Sequence, residues 1–240
     1  MSAFNEVPRA RKGVLRHQAH RYGESERGVP LEFYGPDTGP VKVLVMASMH
    51  GDECDSTVAL SEALRRVPAE ALANPVILAV NPDGVLQGTR CNANGVDLNR
   101  NWPAANWSPE PVRYKDHGHT VQDIELSTGS AAGSEAETRH LLALVERLQP
   151  HAIVSLHTPL GCIDDPDDSE LGRWIAAETA LPLVPDVGYA TPGSFGSWCA
   201  EKNIPIVTWE LPTEPLPAVI DSHVPVLMKL ITGTHPVGTG

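Results

Sequence analysis

His50 and Glu53 stand three residues apart in "MASMHGDEC", just after an apolar run. An imidazole and a carboxylate at that spacing can hold a metal ion, but they can equally decorate an ordinary loop. With ten histidines in the chain, about one such pair is expected by chance, so the motif alone decides nothing. Two further residues change the weighing. His157 ends the apolar run "HAIVSLH", and Glu210 lies near the end of "IPIVTWEL". Each candidate therefore follows or ends a strand-like segment. In open α/β sheets, ligands bind outside the carboxyl ends of the strands. Two imidazoles and one carboxylate suit a catalytic zinc, which keeps a fourth position for water. A further carboxylate is then needed to move the water's proton to the leaving amine. This reading assigns His50, Glu53 and His157 as ligands of one Zn2+ and Glu210 as the base.

The elements that must position these residues can be read from apolar periodicity. "VKVLVMASM" (Val41–Met49) and "NPVILAVNP" (Asn74–Pro82) are continuous aliphatic runs ended by turn formers, as in strands buried on both faces. Between them "DSTVALSEALRRV" (Asp55–Val67) has helical spacing. This β-α-β pattern predicts an α/β fold: a single domain over residues 1–240 with a mixed, mostly parallel sheet flanked by helices. "SEAETRHLLALVERLQP" predicts a helix with a capping box from Ser134 to Glu137 and a stop at Pro150. Strands follow at His151–His157 and Ile204–Leu211, and helices over "LGRWIAAETA" and "LPAVIDSHVPVLMKLI", the last containing Pro225. Asp83 to Gly133 shows no sustained period and is rich in Asn, Gly, Pro and Ser. A segment that long in a compact domain is usually functional or disordered, and its arginines favour function.

Other potential ligands read as decoys. Glu137 and His140 have the E-x-x-H spacing of di-iron bundles, but no second copy exists, so a solvated helix face is expected. His117-Gly118-His119 reads as a loop. The four cysteines form no C-x-x-C and are expected as free thiols. A net charge of −12 with no basic patch argues against nucleic acid. No apolar run approaches a membrane span. The basic N-terminus lacks an apolar signal region, which points to the cytoplasm.

Taken in order, His50-x-x-Glu53, "NPDG" (Asn81–Gly84), "GVDLNRNW" (Gly95–Trp102), the distal His157 and Glu210 resemble the zinc metallocarboxypeptidases. The likeness runs from about Ala47 to Leu211. His₂Glu is the ligand set of carboxypeptidase A in that family. The segments "NANGVDLNRN", "PAANW", "SELG" and "GYATPGSFGSWCA" are closer to a bacterial branch that cuts murein peptides. The resemblance implies a carboxypeptidase-like fold. It also implies that Arg90 polarises the scissile carbonyl, that Asn99 and Arg100 grip the substrate's terminal carboxylate, and that Tyr189 closes over the substrate. The spacing from Tyr189 to Gly193-Ser194 is one residue shorter than in the digestive enzymes. The implied substrate is the murein tripeptide L-alanyl-γ-D-glutamyl-meso-diaminopimelate, cut at the γ-D-glutamyl–diaminopimelate bond in cell-wall recycling. The alternatives are a general carboxypeptidase, an N-acyl amino acid deacylase, or a zinc-binding module without catalysis. A homodimer is left open. Diaminopimelate carries a distal ammonium, which needs an anion. In "LGCIDDPDD", Asp164 or Asp165 can supply it, although Asp-Asp-Pro-Asp-Asp is also turn chemistry.

Overall fold

The computed structural model describes residues 14–116 and 122–237. His117 and His119 lie outside them. The first aliphatic run forms β3 (Val43–Ala47), buried at every position, and "HAIVSLH" forms β7 (Ala152–His157), likewise buried throughout. They pair in parallel, and β7 pairs in parallel with β10 (Ile206–Pro212). Such strands need cover on both faces, and the alternation of side chains supplies two apolar layers. On one face Val45, Val154, Val207 and Trp209 pack against α1 (Cys54–Arg66), α4 (Glu170–Thr179) and α6 (Leu216–Ile231). On the other, Leu44, Met46 and Ile153 pack against α3 (Ala136–Leu148) and α5 (Phe195–Glu201).

The full sheet has eight strands in the order β1 (Ala19–Glu24), β2 (Pro30–Tyr34), β4 (Val76–Ile77), β3, β7, β10, β8 (Leu160–Asp164), β9 (Leu183–Val184). Its flanks are β1, β2 and β4 on one side, β8 and β9 on the other. Pairing is parallel from β4 through β10 and between β8 and β9, and antiparallel elsewhere. β5 (Val112–Asp116) and β6 (Gln122–Leu126) form a separate antiparallel hairpin. Among the described residues no helix is long and apolar enough to cross a membrane.

Four local expectations are corrected. The run Asn74–Pro82 yields only a two-residue strand. Pro82 instead opens a short helix, α2 (Pro82–Gln87), capped by the Asn81 side chain accepting from Gly84 N. Proline suits a first helical position, where its missing N–H is not needed. The capping box at Ser134 does not form, because Glu135 is the N-cap of α3. Glu137 is also fully buried rather than on a solvated face. Its carboxylate accepts from Asn92 Nδ2 at 3.2 Å and Glu26 N at 3.3 Å, tying the long loop to the positive end of the helix. Finally, the segment from Asp83 to Gly133 is not structureless: it holds α2, a 3-10 turn at Leu98–Arg100 and the β5–β6 hairpin.

Candidate metal centre and active site

Ser48 sits just past β3 with φ of 47°, a conformation that a non-glycine residue holds only when its surroundings fix it. Its hydroxyl meets Thr57 Oγ1 at 2.7 Å, which fastens this bend to the first turn of α1. A Cβ on Gly51 would run into the backbone of Gly84, so the loop carrying His50 can rest directly on α2. Glu53 is the N-cap of α1, but its side chain makes no cap hydrogen bond. It turns instead toward two histidines.

His50 Nδ1 and Glu53 Oε1 are 2.7 Å apart, and His157 Nδ1 and Glu53 Oε2 are 2.8 Å apart. All three side chains are buried. They are the one group of metal-competent side chains among the described residues, with ligand atoms within 4.8 Å of one another. The donor set fits zinc. His50 Nε2 lies 3.2 Å from Asp97 Oδ1, and His157 Nε2 lies 3.1 Å from Ser155 Oγ. With Nε2 held there, both Nδ1 atoms face the shared space, where they would turn lone pairs to a bound metal, the arrangement a metal-ligating histidine needs. Burial alone would raise the Glu53 carboxyl, but the two imidazoles reverse this and hold it well below the ordinary carboxylate range. Asp97 is depressed in the same way, with Arg90 and His50 overcoming burial.

The register of β10 on β7 sets Glu210 beside His157. Glu210 is buried and accepts only a long bond of 3.4 Å from Leu160 N; burial raises its carboxyl, as suits a proton acceptor. Arg90 donates through Nε to Asp97 Oδ2 at 3.1 Å and through Nη1 to Glu53 Oε1 at 3.3 Å, which places it against the ligand cluster. Asn99 and Arg100 lie in the 3-10 turn that follows Asp97. Asn99 Oδ1 accepts from Phe195 N at 2.9 Å. Arg100 is 7% exposed, donates through Nη1 to the Asn99 carbonyl, and has no hydrogen-bond partner for Nε among the described residues. Tyr189 is exposed as a residue, yet partial burial of its phenol, with Glu210 nearby, raises that group above its ordinary range.

The two aspartates separate. β8 sets Asp164 opposite Thr208 and Cys162 opposite Glu210, so Asp164 shares the face of Glu210 and His157. Its Oδ1 is buried without a hydrogen-bond partner among the described residues, and burial with Asp186 and Asp165 nearby pushes its carboxyl up to about 6. Asp165 is taken up by the turn: it accepts from Ser169 N at 2.8 Å, Ser169 Oγ at 2.7 Å and Asp167 N at 3.3 Å. Both Asp165 oxygens are engaged in the turn, as its Asp-Asp-Pro-Asp-Asp chemistry leads one to expect. Two residues escaped the sequence reading. Asp97 carried a usable signal, since it stands inside "GVDLNRN" and a ligand histidine often gives its other ring N–H to a carboxylate. Tyr114, whose ring lies 4.3 Å from Arg90 Cζ, carried none.

A mixed α/β sheet whose parallel central strands deliver His, Glu and His past the ends of β3 and β7, with a buried carboxylate alongside, suits a metal-dependent hydrolase. Residues 34–160 match the family model described as zinc carboxypeptidase, and this chain belongs to that family. It is 48% identical over 207 residues to murein peptide amidase A of Escherichia coli strain K12, covering 85% of this chain and 86% of the relative. It is 40% identical over 227 residues to murein peptide amidase A of Vibrio campbellii, covering 94% and 92%. The crystal structure of a murein-tripeptide amidase from Escherichia coli O157 superposes with a TM-score of 0.89 at 43% identity, covering 94% of this chain and 96% of that one. Thrombin-activatable fibrinolysis inhibitor shares the fold at 15% identity, TM-score 0.67, with 90% of this chain and 70% of that chain covered.

Proposed function

We propose that the chain is a zinc amidase that hydrolyses the γ-D-glutamyl–meso-diaminopimelate bond of murein tripeptide in cell-wall recycling. The observation that carries this is Arg100. A buried guanidinium with no hydrogen-bond partner for its Nε and no ion pair among the described residues is prepared for an anion from outside, and a terminal carboxylate matches its donor fork. The high identity to the murein peptide amidases supports the choice of peptide.

His50, Glu53 and His157 would hold one zinc, which when bound supplies a Lewis acid and an acidified water. Asp97 and Ser155 keep the two imidazoles oriented. Glu210 takes the proton of the attacking water and passes it to the leaving amine of diaminopimelate. Arg90 donates to the carbonyl oxygen as negative charge develops there. Asn99 and Arg100 hold the terminal carboxylate, and Tyr189 closes over the bound peptide. Asp164 receives the distal ammonium of diaminopimelate, because its buried oxygen has no other partner. The products are L-alanyl-γ-D-glutamate and free diaminopimelate. The reading places the enzyme in the cytoplasm, where its four cysteines stay thiols.

The test pairs metal analysis with activity. The purified protein should contain close to one zinc per chain and cleave the tripeptide. A chelator should abolish cleavage, and added zinc should restore it. Full cleavage by metal-free protein would overturn the proposal.

A further inference from the structure

The β5–β6 hairpin reaches Arg90. Tyr114, on β5, lays its ring against the guanidinium, with Cζ 4.3 Å from the ring centroid. Arg90 is thereby held on three sides: Nε by Asp97, Nη1 by Glu53 and one face by Tyr114. Both carboxylates are also engaged by His50. The aromatic ring is thus the contact that does not compete with the metal centre for the same oxygens.

The hairpin is fastened where it leaves the body. Thr128 Oγ1 donates to the Ser108 carbonyl at 2.8 Å, closing its neck. Asn101 Nδ2 donates to the Thr128 carbonyl at 2.8 Å. Asp97 N donates to the Ser127 carbonyl at 2.9 Å. The segment that presents Asp97 to His50 therefore also anchors the hairpin that presents Tyr114 to Arg90.

We propose that Tyr114 is a positioning residue for amide cleavage: its ring fixes the plane of the Arg90 guanidinium. A donor acts on a developing oxyanion only if it is already aimed, since reorientation during the reaction forfeits the gain. A cation on an aromatic face is attracted most strongly where water is excluded, and the Arg90 side chain is only 12% exposed. This inference rests on the reading of Arg90 as the oxyanion donor.

The experiment compares Tyr114→Leu, Tyr114→Phe, Arg90→Ala and the double variant Tyr114→Leu/Arg90→Ala on the tripeptide. Leucine fills space but has no π face. Tyr114→Leu should lower kcat roughly three- to tenfold, the range of a partly shielded cation–π contact. KM, zinc content and Tm should stay close to parent. Tyr114→Phe should recover most of the loss. In the Arg90→Ala background, Tyr114→Leu should add less than about twofold, because coupled residues are not additive. An equal loss in both backgrounds overturns the inference, as does a Phe variant no better than Leu, or a kcat loss that follows zinc or Tm. Parent-like kcat in Tyr114→Leu beside an impaired Arg90→Ala overturns this inference alone. Parent-like kcat in Arg90→Ala overturns the reading of Arg90 and this inference with it.

Discussion

Replacing Asp164 by Asn should make the protein more stable and less able to recognise its substrate. The side chain sits on the face of Glu210 with one oxygen buried and unpartnered, and its carboxyl rises from 3.8 to about 6. At about 1.36 kcal/mol per pH unit, that shift sets roughly 3 kcal/mol against the ionised form in the folded state. Part of the carboxylate faces water, so about 1–2 kcal/mol is the realistic share. The sign follows from linkage. The folded protein binds this proton more tightly than the unfolded chain, so stability is lost as pH rises from about 4 to about 6 and stays lost above. Asp164→Asn should therefore gain about 1–2 kcal/mol in denaturant unfolding at pH 7.5, with the gain vanishing below about pH 4. The same substitution should lower kcat/KM for the diaminopimelate peptide about ten- to hundredfold, the worth of a charged hydrogen bond. An analogue lacking only the distal amine should lose little. In the parent, kcat/KM for the natural peptide relative to the analogue should fall as pH drops through about 6. Unchanged stability together with equal kcat/KM losses on both substrates would refute this account of Asp164.

The metal centre should depend on its supports as well as its ligands. His157→Ala should lose most zinc while staying folded, and Asp97→Asn should weaken zinc affinity about ten- to hundredfold in a competition titration, since Asp97 orients His50. Glu210→Gln should retain zinc while turnover falls by about two orders of magnitude or more; near-parent turnover would remove Glu210 from the proton path. Arg100→Ala should mainly raise KM, because the terminal carboxylate is held alike in the ground and transition states, whereas Arg90→Ala should mainly lower kcat. Steady-state kinetics showing the reverse pattern would exchange their roles.

The central strands and the last helix were legible because burial on both faces leaves continuous apolar runs. "HAIVSLH" and "LPAVIDSHVPVLMKLI" map onto β7 and α6, and α6 accommodates Pro225 in its interior. The outer elements were not. β1 reads "AHRYGE" and β2 "PLEFY", too short and too polar on one face to stand out from a loop. β4 is two residues long because the chain turns into the Asn81-capped helix α2. In the site, the positions of His50, Glu53, His157 and Glu210 followed from strand ends. Asp164, on the face of Glu210, and Asp165, engaged in the following turn, could not be told apart without the β8 register and the fold of that turn. Tyr114 could not be read from sequence, because its role depends on where a hairpin folds back, and no local periodicity encodes that.

The claim that matters most is which bond is cut. Zinc-loaded enzyme incubated with L-alanyl-γ-D-glutamyl-meso-diaminopimelate should yield equal amounts of free diaminopimelate and L-alanyl-γ-D-glutamate by mass spectrometry. It should leave intact the analogue amidated at the carboxylate that Arg100 grips. Release of alanine, equal cleavage of the amidated analogue, or an intact tripeptide at full zinc loading would contradict the account.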